Sequence, residues 1–103
     1  MVQSEIARAK TPRRENVRKN DELHRFELQV GEHSAIACYQ IENGVMTFTS
    51  TQTPPSLRKK GVATRLIEGA LEIAREEGFK VAASCSFVAN FLDRRPEFSD
   101  LKR

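Results

Sequence analysis

Two adjacent prolines, Pro54 and Pro55, divide the chain into halves with different hydrophobic periods, and that switch limits the fold more than any other feature. Neither proline can donate to a β ladder, so strand pairing must stop there. Ahead of them the pattern is close to period two. Leu23, Phe26, Leu28 and Val30 are interspersed with His24, Arg25, Glu27 and Gln29, which approximates a half-buried strand starting near residue 22. Gly31 and Glu32 supply a turn, and residues 34–41 read as a second strand in which Ile36, Cys38 and Gln40 share one face. Glu42-Asn43-Gly44 is a hairpin signal, because Asn-Gly accepts the positive φ angles of a tight turn. Residues 45–51, rich in β-branched and aromatic side chains, return as a third strand, giving an antiparallel meander.

Beyond the prolines the period becomes helical. Over residues 61–77 the apolar positions Val62, Ala63, Leu66, Ile67, Ala70, Leu71 and Ala74 recur at three- and four-residue intervals, and Gly78 supplies a stop. Residues 79–84 form a short apolar run suited to a central strand, and the helix before it is long enough to lay it parallel to the third strand. Ser86 is placed to cap a last helix that turns Val88, Phe91 and Leu92 inward and halts at Arg95-Pro96. The predicted fold is α+β, in the order β-β-β-α-β-α.

A chain of 103 residues has room for one small domain with one core. The formal net charge of +3 is unevenly spread: residues 1–20 hold six Lys/Arg against two Asp/Glu, and the rest holds eleven against twelve. The basicity therefore belongs to an N-terminal tail, predicted to be mostly unstructured, and the folded domain is expected over residues 21–103. A nearly neutral body argues against a dedicated nucleic-acid face, although a basic arm could touch RNA or an acidic protein. No apolar run approaches the roughly 20 residues of a membrane span, and the first residues lack the apolar centre of a signal peptide, so the expected location is the cytoplasm. The two cysteines, Cys38 and Cys85, lack the paired spacing of a zinc site, and no metal is expected.

The junction between the prolines and the helix is suited to hold an anion. The first turn of a helix leaves backbone N–H groups without partners, and the aligned peptide dipoles add positive charge at that end. Here the run is Arg58, Lys59, Lys60, Gly61, Val62, Ala63, Thr64. Gly61 allows close approach of the backbone, and the three cations add charge around the same point. Neither the Walker pattern nor the three-glycine dinucleotide pattern is present. A solvated basic turn would also account for these residues.

The arrangement Arg-x-x-Gly-x-Ala resembles the pyrophosphate loop of the GNAT N-acetyltransferases. With the Thr-x-x-Pro-Pro stretch before it and Ser84-Cys85-Ser86-Phe87-Val88 after the helix, residues 16–101 resemble the compact, single-domain members of that superfamily. The resemblance implies acetyl-CoA as cosubstrate, with backbone amides from Arg58 through Thr64 on its pyrophosphate. It also implies pantetheine pairing with the strand end near Thr51 and Thr53, and a thioester held between Thr53 and Cys85. The acceptor is an unidentified amine, and the chain is expected to be a monomer or weak dimer without membrane attachment.

Cys85 carries the expected chemistry: as proposed for relatives, a thiolate there would take the acetyl group before passing it on. That requires a lowered pKa, which the start of the last helix can supply. A small apolar side chain at a strand end is the other reading of the same residue. The sequence departs from the subfamily pattern in three places. Ser50-Thr51-Gln52 stands where relatives carry His-Thr-Glu, Phe91 replaces an aromatic residue with a hydroxyl, and Arg95 replaces a histidine. These departures keep open a noncatalytic acyl-CoA-binding or sensing module, beside an adaptor working through the basic tail. His24 and His33 lie in no motif and read as surface residues.

Overall fold

The computed structural model describes residues 17–58 and 61–103. It contains a five-stranded sheet in the order β1-β2-β3-β4-β5, formed by Val17–Asn20, Arg25–Val30, His33–Glu42, Val45–Gln52 and Lys80–Ala83. The first four strands are antiparallel neighbours in sequence order, and β5 lies parallel to β4. Helix α1 (Val62–Glu76) makes the crossover between β4 and β5, and α2 (Ser86–Arg94) follows β5. A 3-10 segment, Pro96–Leu101, closes the fold. No helix among the described residues is long and apolar enough to cross a membrane.

The meander has one strand more than expected. Val17–Asn20, read from sequence as the end of the tail, pairs with β2 in the register Val17↔Leu28 to Asn20↔Arg25. Val17 is buried, and Lys19 Nζ reaches Glu77 just past α1 at 2.6 Å while lying over the Phe79 ring. The side-chain oxygen of Asn20 accepts from the Leu23 N–H at 3.1 Å and closes the turn into β2. Leu23 consequently lies in that turn, 54% exposed, instead of opening the strand. The rest of the expected tail, residues 1–16, lies outside the described residues.

In β3 the face shared by Ile36, Cys38 and Gln40 is the one turned away from the core. Ala35, Ala37 and Tyr39 are buried, whereas Ile36 and Cys38 are half-buried on the opposite face and Gln40 is exposed. The cause is steric: α1 touches every strand of the sheet, and small alanines let it lie close to the middle strand. Phe26, Tyr39 and Phe48 form an aromatic group on that face, with centroids 5.2 to 6.5 Å apart. Leu66, Ile67 and Leu71 of α1 are fully buried against the same core. Each such side chain contributes about 1.5–3 kcal/mol by leaving water.

Other elements follow the sequence closely. The β3–β4 turn has positive φ at both Asn43 (55°) and Gly44 (79°), the geometry that matches strand twist. After α1, the Phe79 N–H bonds to the Ala74 carbonyl and the Gly78 N–H to the Arg75 carbonyl, with Gly78 at φ 85°. That pair of bonds is a Schellman stop, which only a residue tolerant of positive φ completes without strain.

Candidate functional site

Three features of the backbone shape a cleft at one end of the sheet. The first is an irregularity in β4. Tyr39 pairs with Phe48 but Cys38 pairs with Ser50, so Thr49 is an extra residue and the register shifts by one. Beyond it Thr51, opposite Ala37, faces the helix side of the sheet. A bulge of this kind bends its strand and re-aims the side chains after it.

The second feature is the separation of the two parallel strands. Pairing between β4 and β5 ends at Phe48↔Ala83, although β4 continues to Gln52 with β3 as its partner. The Ser84 and Cys85 amides both turn back to the Phe48 carbonyl, at 2.9 and 3.3 Å. Residues 49–52 are thus left with a strand edge that β5 does not cover.

The third feature is the start of α1. Pro55–Leu57 forms a 3-10 turn anchored by the buried Leu57, and Gly61 then takes φ 71° and ψ 14° to begin the helix. The first helical bond runs from the Arg65 N–H to the Gly61 carbonyl at 3.1 Å, so the Val62, Ala63 and Thr64 amides have no acceptor within the helix. They form the positive end of a 15-residue helix.

These parts enclose a cavity of about 840 Å³, a size ordinary for a small-molecule site. It is lined by Thr51, Thr53, Arg58 and the run Gly61, Val62, Ala63, Thr64. The structure therefore brings together the expected strand end and helix start. Lys59 and Lys60 lie outside the described residues. Two details differ from expectation. The Arg58 N–H is already bonded to the Pro55 carbonyl at 3.3 Å, so Arg58 brings a side chain but not an amide. Its Nε in turn donates to the Thr53 carbonyl at 3.1 Å, which engages an acceptor otherwise open to a ligand.

Cys85 sits at the N-cap of α2, half-buried, with its sulfur 3.6 Å from the Thr51 hydroxyl oxygen. Burial pushes this thiol up, but the Val88 amide, the Thr51 hydroxyl and the Phe87 amide together outweigh burial and hold its pKa below the ordinary cysteine value. The amides are aimed at the sulfur from the first turn without closing a capping bond to it, so they act as oriented dipoles. The result is a thiol with more thiolate at neutral pH than free cysteine.

Sequence reasoning left out Phe87, Ser34, Ile36 and Gln52, which also line the cavity. Phe87 carries a usable signal: it is an aromatic residue off the buried stripe of its own helix, and it is 39% exposed. Phe91 is core, 6.2 Å from the Phe98 centroid and beneath the Arg95 guanidinium at 4.5 Å, and Arg95 bonds Glu68 at 2.5 Å. Neither lines the cavity, nor do His24 and His33. Cys38 lies at a separate shallow depression beside Leu23 and Ile41.

The family model described as GCN5-related N-acetyl-transferase matches residues 25–101, from β2 through the closing 3-10 segment. The chain belongs to that family. Among solved structures it is similar to the solution NMR structure of a candidate GCN5-like N-acetyltransferase from Staphylococcus aureus. The TM-score is 0.66 at 24% identity, over 84% of this chain and 86% of that one. At that identity the likeness speaks for the fold. Membership in the GCN5-related N-acetyltransferases implies acetyl-CoA as the acyl donor, and the cavity has walls suited to it. Amides at a helix start fit a pyrophosphate, and the uncovered edge of β4 fits a pantetheine chain.

Proposed function

We propose that this protein is an N-acetyltransferase that holds acetyl-CoA between the Gly61-Thr64 helix start and the end of β4, and that Cys85 carries the acetyl group in transit. The observation that carries this reading is the position of the thiol. Cys85 stands 3.6 Å from Thr51, a residue of the cavity wall, and its pKa is held down by the start of α2. The Cys85 thiolate attacks the thioester carbonyl carbon, forming a new C–S bond, and the bond to CoA breaks as its thiolate leaves. The thiol proton of Cys85 is passed to solvent or to the departing thiolate. An amine then attacks the acetyl-cysteine, the amide forms, and the Cys85 sulfur leaves and recovers its proton. Thr51 donates to the sulfur whenever it is anionic.

Incubation with acetyl-CoA followed by intact-mass and peptide mapping tests the covalent route. The expected result is one acetyl group at Cys85, released by hydroxylamine and absent in Cys85→Ala. Undiminished transfer by Cys85→Ala would remove the thiol from the mechanism and leave direct transfer. One observation favours a second reading, a noncatalytic acyl-CoA binder: no histidine or carboxylate is among the described residues lining the cavity. That reading predicts CoA binding with neither label nor turnover.

A further inference from the structure

The walls of the cleft also constrain the acceptor, given the reading above. Among the described residues lining the cavity the only charged side chain is Arg58. The apolar contribution is large: Ile36 of β3, Pro54 and Leu57 of the turn, and Phe87, two residues after Cys85 and 39% exposed. The neutral polar groups are the short side chains of Ser34, Thr51, Thr53 and Thr64 with Gln52, the register partner of Ile36. Two carboxylates close to these walls are engaged elsewhere: Glu27, the β2 partner of Ile36, with Arg25 and Asn20, and Glu68 with Arg95.

We propose that the acceptor is a weakly basic amine borne on an apolar ring, an arylamine in chemical class, seated against Phe87 and Ile36. An alkylamine as basic as the lysine side chain is neutral in only about one molecule in a few thousand near pH 7. Such an ammonium would enter a largely apolar cleft beside a guanidinium, with no carboxylate to pair with it and no imidazole to take its proton among the described lining residues. Burying an unpaired charge there is costly. An arylamine has its lone pair delocalised into the ring and arrives uncharged. It needs no base to begin attack: its nitrogen bonds to the acetyl carbon, the carbon–sulfur bond breaks, and the proton shed by nitrogen goes to the departing Cys85 thiolate. The ring meanwhile covers the Phe87 face, which water otherwise wets.

The isomers 4-methylaniline and benzylamine have the same atoms and nearly the same shape but differ in amine basicity. The wild-type protein is given acetyl-CoA and each amine in turn, and release of CoA thiol is followed through the first turnover and into steady state. Each rate is divided by that amine's own rate with S-acetylglutathione in buffer. The expected result is an initial release of one CoA per protein, then a normalised rate for 4-methylaniline at least about tenfold above benzylamine, because the largely apolar walls disfavour the benzylammonium ion. Phe87→Ala should raise KM for 4-methylaniline about fivefold with kcat changed less than about twofold, because the exposed ring supplies binding and not chemistry.

An initial release followed by equal or faster use of benzylamine would overturn the acceptor assignment and leave the Cys85 route standing. Preference for 4-methylaniline without an initial release would support the acceptor assignment and count against the covalent route. No turnover of either isomer, or an unchanged KM in Phe87→Ala, would overturn the acceptor assignment.

Discussion

Replacing Gly61 with alanine tests the link between backbone conformation and ligand affinity at the start of α1. Gly61 has φ 71°, and a Cβ built there meets nothing within 4 Å, so the substitution carries strain without collision. Left-handed backbone costs a non-glycine residue about 1–2 kcal/mol. Alanine also restricts the unfolded chain, which returns about 0.4–1 kcal/mol. The net loss should be roughly 1 kcal/mol, which for a domain of this size lowers Tm by about 4–8 °C. If the chain relieves the strain by rotating φ, the Val62, Ala63 and Thr64 amides tilt with it, and CoA should bind about tenfold more weakly, equivalent to about 1.4 kcal/mol. Gly61→Asn should recover part of both losses, because asparagine enters this region more readily than alanine. Thermal unfolding by circular dichroism gives the first quantity and calorimetric titration with CoA the second. Native Tm and native CoA affinity in Gly61→Ala would mean that neither a left-handed Gly61 nor the amides after it are needed.

Three further outcomes follow from the same structure. Thr51→Val should slow alkylation of Cys85 near neutral pH and move its pH midpoint upward, measured with iodoacetamide in a Cys38→Ser background; an unmoved midpoint would show that the Thr51 hydroxyl does not stabilise the thiolate. Glu68→Ala should cost about 1–3 kcal/mol in urea unfolding, because it removes the shorter of the two carboxylate contacts of Arg95 and leaves the guanidinium over Phe91 with Glu97 at 3.5 Å; a loss below a few tenths would mean the pair is merely solvated. Glu27 is held below the usual carboxylate range, first by the Arg25 guanidinium and then by Asn20. A depressed acid adds stability above its unfolded pKa of about 4.3 and loses it as pH falls through the folded value, so Glu27→Gln should be less stable at neutral pH and converge with the native protein in acid. A difference that persists unchanged at low pH would assign the effect to packing.

Much of this architecture was legible because local and tertiary preferences agree. The stripe from Val62 to Ala74, the Asn43-Gly44 turn and the Gly78 stop each have one comfortable conformation, and each adopts it. β1 was not legible, since Val17, Arg18, Lys19 and Asn20 contain one apolar residue and gain their place from Lys19 bridging to Glu77 and from pairing with β2. Which face of β3 turns to the core was not legible, because side-chain hydrophobicity favours Ile36 over Ala35, whereas the approach of α1 favours the smaller residue. Phe98 and Leu101 fill the core beyond Pro96, where no helical period remains to announce them, and the chain end rejoins the sheet through the Arg103 N–H on the Val81 carbonyl.

At the candidate site, the residues that come together were readable and their connections were not. A strand irregularity at Thr49 leaves no mark in composition, yet it precedes the turn of Thr51 toward Cys85. The use of the Arg58 amide within the 3-10 turn is likewise a consequence of Pro55 geometry that charge and spacing do not reveal.

The most direct measurement is a CoA titration of the uniformly ¹⁵N-labelled protein, followed amide by amide. The largest shifts should fall on Val62, Ala63 and Thr64 at the helix start and on Thr51, Gln52 and Thr53 at the end of β4 and just past it, with Cys85 moving when acetyl-CoA replaces CoA. Saturable shifts elsewhere, at the depression beside Leu23 and Ile41 for instance, with those two groups unmoved, would contradict the proposed site.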